Sequence, residues 1–544
     1  MAENADRSEH EDPAAPRAPR RGPARPLLAV AALLPLLLAG GALATTAPPE
    51  PGPVARAESA SQPGASTRWC HGPLQLPEAT LESGPDADLA VTPPTATVTL
   101  RSVSVEPASS LLFGTVSGSQ TLQEEDGSVR APTITAADAA GAVLEEESAS
   151  QDLGLSVQSL GPVAAAPRVS TATSQGGRPV ADVVQSTATR AGDFRSLALT
   201  RCAEPATEAA FLGVSTAPGD SSVLVLRNPT QRPATASVQV WTEAGPAAMA
   251  GRSQVVVAPG EEQRVLLESV IPGQEAVGVQ ASVLGAPLSM HVQTTERDGL
   301  TPGGAEILDP LAPAASEQVM PGVDVAGTAP VLVIANPRGA DTTADVEVSG
   351  PQGPVDAAAL TDLELPAGAV VSTPLAGLPD GTYAVTVRAQ EPVTAVTRSV
   401  RTGVDLPGDT VGAPVDLTLV TAAPALSSQG VTALPAQGAA GQLTLTATAD
   451  SAVTVIPLAA DGGAGSPLSI DVAAGATATV TSDQLRIGGA SAAGISLVPE
   501  VPGAVHAGWM QRESDGAGGV LLSALPVLPA RAGEESVTVR LGTD

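Results

Sequence analysis

Beyond residue 66 the chain is built from short apolar runs and alternating stretches, broken by Gly and Pro at intervals of about 8 to 15 residues. Val223 to Leu226 is a continuous apolar run stopped by Asn228-Pro229. That is the pattern of a strand covered on both faces and ended by a residue that cannot donate to a ladder. Ser237-Val238-Gln239-Val240 alternates, with its valines on one face. Val255 to Val257 turns through Ala258-Pro259-Gly260 into Arg264-Val265-Leu266-Leu267. Alternation returns at Val277, Val279, Ala281 and Val283, and again at Leu288, Met290 and Val292. Six short strands within about 75 residues predict an antiparallel β-sandwich of immunoglobulin-like size.

The pattern repeats. Val223-Leu224-Val225-Leu226-Arg227-Asn228-Pro229 returns as Val331-Leu332-Val333-Ile334-Ala335-Asn336-Pro337, a displacement of 108, and 13 of the 38 positions from 223 to 260 are identical at that displacement. Pro179, Val184, Gln185 and Thr187 match Pro287, Val292, Gln293 and Thr295. A fainter copy puts Val453, Val455 and Gly475 at 107 after Val346, Val348 and Gly368. The expectation is an all-β chain of tandem immunoglobulin-like sandwiches. It comprises a β-rich unit over 67–215 and three sandwich units over 216–322, 323–430 and 431–544. A propeller, whose repeats run about 40 to 50 residues, does not match this period. Both Asn-Pro sites read as structural, because Asn tolerates turn geometry and Pro ends the pairing.

Upstream the pattern changes. Residues 26–47 contain no charge and, at about 1.5 Å per residue, reach across a bilayer core as a helix. Arg17, Arg20, Arg21 and Arg25 precede this segment and Glu50 follows it, so the positive-inside rule puts residues 1–25, a disordered tail, in the cytoplasm and the bulk outside. The segment is read as an uncleaved single-pass transmembrane anchor. Cleavage after Ala44, at Ala42-Leu43-Ala44, would make the protein secreted. Residues 48–66 read as an extended Pro/Ala/Ser linker.

Composition narrows the function. The formal net charge is −30 and lysine is absent, which argues against a nucleic-acid partner. Aromatics make up 1% of the chain, so its cores must be assembled from Ala, Val and Leu, and many small cores are expected.

Candidate chemistry is sparse. Cys70 and Cys202 are the only cysteines. In an exported chain they are expected to form a disulfide, which closes a loop long enough to add about 4 to 5 kcal/mol on the chain-entropy model. A metal site of Cys70, His71 and Cys202 would lack a fourth ligand and any Cys-x-x-Cys spacing. Of the four histidines, His291 falls on the solvent phase of its strand, and no Ser-His-Asp or Cys-His set assembles locally. The acidic turns Glu124-Glu125-Asp126-Gly127, Asp380-Gly381 and Asp461-Gly462-Gly463 lack the spacing of a calcium loop. Trp69 is expected against the disulfide and Trp509 in a core. Trp241 shares the outer phase of Ser237 and Gln239, where it would meet a neighbouring unit or anchor a partner. No catalytic, metal or cofactor-binding residue is assigned.

Trp69-Cys70-His71-Gly72-Pro73, Arg201-Cys202-Ala203-Glu204-Pro205 before Phe211-Leu212-Gly213, and Leu224-x-Leu226-x-Asn228-Pro229 together resemble a domain-of-unknown-function family of exported actinobacterial proteins, number 5719. The resemblance runs from about Trp69 onward and lacks Asn-Pro in the last unit. It implies an extracytoplasmic, membrane-tethered protein and supplies no catalytic residues. The expected function is a non-enzymatic cell-envelope scaffold, a rod or cluster of separately folded units. It would contact the membrane through residues 26–47 and other envelope proteins or glycans through its surfaces. The alternative is an envelope hydrolase acting on polysaccharide or peptidoglycan, with acids that converge only in three dimensions.

Overall fold

A computed structural model describes residues 64–76, 92–116, 130–138, 140–145, 148–151, 153–163, 169–174, 177–249, 251–405, 412–435 and 440–530. The proposed tail, the apolar segment 26–47 and the turn at Glu124 lie outside these residues. Those described are all-β, with two short 3₁₀ turns, Ser110–Phe113 and Asp356–Ala358, and no α-helix among them. No helix among them is long and apolar enough to cross a membrane.

The second unit shows the plan. Its strands in order are Glu208–Val214, Ser221–Arg227, Ala234–Thr242, then Gly245–Ala247 with Gln254–Val257 sharing the fourth place. Glu262–Leu266, Val277–Gly285, Ser289–Asp298 and Thr301–Leu308 follow. One sheet runs first-sixth-third-fourth and the other fifth-second-seventh-eighth, every pair antiparallel. Leu224 and Leu226 of one sheet and Val238, Val240, Val277 and Val279 of the other fill a common core.

The same order recurs three more times. The first unit builds it from Gly64–Trp69, Val98–Val105, Thr133–Ala137, Val143–Glu145, Leu155–Val163, Val169–Ser174, Val180–Thr189 and Ser196–Arg201. The third uses Ala315–Val325, Val331–Ala335, Thr342–Gly350, Leu360–Leu365 and Val370–Pro374. A single strand, Gly381–Thr402, then fills the sixth and seventh places, and Val415–Thr421 the eighth. The fourth uses Gly430–Ala433, Ala440–Ala447, Ser451–Leu458, Leu468–Val472, Thr477–Thr481, Gly494–Pro499, Val505–Ser514 and Val520–Pro526.

Each first strand pairs with the sixth strand of its own unit, although the limits drawn at 216, 323 and 431 fall after or within it. Those strands carry none of the motif that reveals the repeat. Similarly, the opening strand Gly64–Trp69 begins inside the stretch read as a linker.

The Asn-Pro turns repeat down to single bonds. Asn228 Nδ2 donates to the carbonyls of Arg232 (2.7 Å) and Val257 (3.1 Å), and its Oδ1 accepts from the Thr230 N–H at 3.0 Å. Asn336 does the same with Ala340 (2.8 Å), Leu365 (3.0 Å) and Arg338 (3.0 Å), each partner displaced by 108. Both side chains are fully buried, so the amide satisfies backbone groups that would otherwise stay unpaired as the strand ends.

The expectation of small, separate cores fails. One core joins Val103, Val105, Leu155 and Val157 of the first unit to Leu443, Leu445, Val455 and Trp509 of the fourth. The core of the second unit takes in Val333, Val370, Val396 and Leu419 of the third, and that of the third takes in Met510 and Leu522 of the fourth. Ala, Val and Leu remove too little apolar surface per residue to complete one unit alone, so neighbours share the burial. The units close into a ring rather than a rod. The eighth strands pack in cyclic order, Ser196–Arg201 on Thr301–Leu308, that strand on Val415–Thr421, the third on Val520–Pro526, and the last back on Ser196–Arg201.

Candidate functional site

The seams between units carry the arginines. Arg297 Nη2 meets Asp193 Oδ1 at 3.0 Å between the second and first units, and Arg398 Nε meets Glu296 Oε1 at 3.4 Å between the third and second. Asp324 of the third unit, nearly inaccessible, receives Arg401 Nε and Arg512 Nη2, each at 2.6 Å, the latter from the fourth unit. The first and fourth units are joined by Arg190–Glu513 (2.8 Å) and Arg195–Asp515 (3.3 Å). Asp324, Glu513 and Asp515 are nearly inaccessible, and each has an arginine nitrogen within 3.3 Å to offset the cost of burying its charge.

Cys70 and Cys202 are disulfide-bonded, and their sulfurs pack with Leu100, Ala136, Leu160 and Val183. Beside them the half-buried Trp69 exchanges backbone hydrogen bonds with Ala203. His71 turns away from any metal arrangement: its Nε2 lies 2.9 Å from Asp309 Oδ1, and its ring stacks on His291 at 4.2 Å between centroids. His291, read from alternation as solvent-facing, is therefore buried, because the first unit covers that face of its strand. Among the described residues no group of three or more His, Cys, Asp or Glu is placed to hold a metal ion.

Trp241 is 8% exposed and belongs to the core that includes Val370 of the third unit. A Cβ on Gly278, its cross-strand partner, would touch Trp241, Leu212 and Val370. Alternation does aim Trp241 outward, and the next unit covers it. Its edge lines a seam groove of about 510 Å³ with Pro246, Met249 and Arg338. A second groove, of about 490 Å³, runs along Thr95, Thr97, Thr99, Arg190 and Glu513. Of the acidic turns, Asp461 Oδ1 accepts the Gly463 N–H at 3.0 Å, an ordinary turn bond, and Asp380 Oδ1 accepts the Gly327 N–H at 2.8 Å, tying two loops of the third unit together.

The densest chemistry lies where the eighth strands meet. Leu224, Val292 and Leu308 stand in register across three strands, as do Leu332, Thr397 and Val420, and Leu443, Trp509 and Leu525. Two residues before the last member of each row, on the same strand face, come Glu306, Thr418 and Ser523. These equivalent positions converge. Ser523 Oγ lies 3.1 Å from both carboxyl oxygens of Glu306, which the Thr418 hydroxyl also bonds. The Ala524 N–H donates to Thr418 Oγ1 at 3.0 Å, and the Leu199 N–H of the first unit donates to Ser523 Oγ at 3.0 Å. Asp416, two residues before Thr418, accepts the Leu522 N–H at 2.8 Å and the Leu197 N–H at 3.3 Å on Oδ2. Gly304, with φ +102°, lets the strands approach: a Cβ there would come to 2.8 Å from Leu417 N and 3.1 Å from Asp416 Oδ1.

All four units thus donate to or accept from one sealed polar hub. Glu306 and Asp416 are 4% and 2% exposed, and no basic side chain bonds either among the described residues. Burial pushes the Asp416 carboxyl well above its usual range, against the pull of the Leu522, Leu197 and Leu417 N–H groups. Burial does the same to Glu306, reinforced by neighbouring Asp416 and opposed by Thr418, Ser523 and the Ile307 N–H. Both acids therefore hold their protons to higher pH than an exposed carboxyl, and a protonated carboxyl can donate as well as accept a hydrogen bond. Neither groove is lined by them. Sequence reading missed both, yet a signal was present: each is a lone carboxylate inside an apolar run, Ala305-Glu306-Ile307-Leu308 and Val415-Asp416-Leu417.

No curated protein matches the chain. A family model does match, over residues 157–483, from the fifth strand of the first unit to just past the fifth strand of the fourth. With more than half the chain covered across parts of all four units, this protein belongs to the family of unknown function DUF5719.

Proposed function

We propose that this chain is a non-enzymatic extracytoplasmic cell-envelope protein, anchored by residues 26–47, that acts as a structural or interaction scaffold. The observation that carries the reading is the way the units are joined: shared cores and partly buried Arg–carboxylate pairs tie all four units into one body. A scaffold needs that rigidity, whereas an envelope hydrolase needs an open cleft with two carboxylates reachable by substrate. The disulfide suits an oxidising compartment, and the arginines before residue 26 suit an inside-facing tail. The units fit an immunoglobulin-like description in their central pairs, second with fifth and third with sixth. Their first and seventh strands exchange sheets relative to that fold, the first lying beside the sixth and the seventh beside the second.

The test is cell fractionation of the full chain with a C-terminal tag, combined with protease added to intact cells. The tag should sediment with membranes and be lost to external protease. A tag protected in intact cells overturns the location, and release of soluble glycan from purified envelope by the intact protein would favour the hydrolase.

A further inference from the structure

We propose that the Glu306–Asp416 pair makes closure of the four-unit ring proton-dependent, with the hub locked when both acids are neutral and loosened when they ionise. Glu306 belongs to the second unit and Asp416 to the third, while their bonds run to Ser523 and Leu522 of the fourth and Leu197 of the first. A charge appearing here faces a second carboxyl and, among the described residues, no bonded counter-ion, at a place where all four units meet.

The surrounding charges face other acids or bases: Arg195, just before Ser196–Arg201, lies 3.3 Å from Asp515. Of the four eighth strands, only Arg201 adds a further ionisable side chain, and it is held by Asp182, Thr432 and the Pro526 carbonyl. On the seventh strands, Glu296 pairs with Arg398, Arg297 with Asp193, Arg401 and Arg512 with Asp324, and Glu513 with Arg190. His506 bonds the Ala423 carbonyl, and His291 stacks on His71; Asp298 is exposed at the strand end. None of these bonds either hub carboxyl, so a proton is the neutralising partner the geometry leaves.

The sign follows from linkage. The folded ring keeps these two protons to higher pH than the unfolded chain, which releases them in the ordinary carboxylate range. Stability is therefore highest below about pH 4 with respect to these groups. It falls as pH rises towards the folded-state values, by about tenfold in the folding constant per pH unit for each group.

The test compares urea unfolding of the full chain from about pH 5 to about pH 9 with that of E306Q and of E306Q/D416N, whose amides mimic the neutral acids. Hydrogen exchange is followed in parallel. We expect the wild-type folding constant to fall more steeply with pH than that of E306Q, and more steeply still than that of the double variant. Exchange in Thr301–Leu308, Val415–Thr421 and Val520–Pro526 should rise before the rest of the sheets. Glu296 and Glu513 titrate in all three proteins, so the difference between profiles isolates the hub. If the double variant does not fold, E306Q alone must still flatten the profile. Identical pH slopes in wild type and E306Q overturn the proposal. So does restoration of wild-type stability at high pH by added calcium, which would make the pair a metal site.

Discussion

Arg201 Nε donates to Asp182 Oδ1 at 2.7 Å within the first unit, and the pair then reaches into the fourth. Arg201 Nη1 bonds the Pro526 carbonyl at 3.0 Å, and Asp182 Oδ2 accepts the Ala433 N–H at 2.9 Å. Asp182→Ala would strand a buried guanidinium and should cost about 3–5 kcal/mol, read as a lower urea midpoint. The double change to apolar residues of similar volume should recover much of that loss, and a double-mutant cycle measures how much.

Asn228 and Asn336 make equivalent bonds, so their loss should be equivalent too. Each Asn→Ala leaves one buried carbonyl, that of Val257 or Leu365, without its amide partner, at about 1–3 kcal/mol for the group left unsatisfied. Thermal unfolding of the two single variants should show similar destabilisation. A neutral effect at either position would mean that water replaces the amide there.

The disulfide joins the ends of the first unit, across a separation of 132 residues. Its removal by C70A/C202A should lower stability by about 2–5 kcal/mol. The loss should vanish when wild type and variant are compared under reducing conditions.

His506 is buried, with Nδ1 2.8 Å from the Ala423 carbonyl, and burial holds its ring below the usual histidine range. The folded state keeps it neutral while the unfolded chain takes up a proton below about pH 6.5. Its contribution is therefore present above that pH and lost as pH falls through the folded value. H506N should flatten the acid side of a stability–pH profile and leave the alkaline side unchanged.

The repeat and its strands were legible because they rest on local pattern: the Asn-Pro stop, the Gly turns and the alternating valines. The first strand of each unit was not, since Glu208–Val214, although it holds Phe211-Leu212-Gly213, has no counterpart in the repeated motif and is assigned to its unit only by pairing with a strand some 70 residues later. Burial was misread at His291, where alternation describes one sheet and says nothing of a neighbour laid over its outer face. At Trp241 alternation gave the direction correctly, and the covering unit supplied the burial. The hub escaped for the same reason. Glu306 and Asp416 lie 110 residues apart, and only ring closure brings them together.

The third unit contains an unbroken strand, Gly381–Thr402, where the other units have two. Its first half pairs with Ala315–Val325 and Thr342–Gly350, its second with Val331–Ala335 and Val415–Thr421. A pull that shears one sheet is therefore transmitted along a single backbone into the other, and neither layer can peel away by itself. Under mechanical load this unit should yield in one step, as a spine for its neighbours.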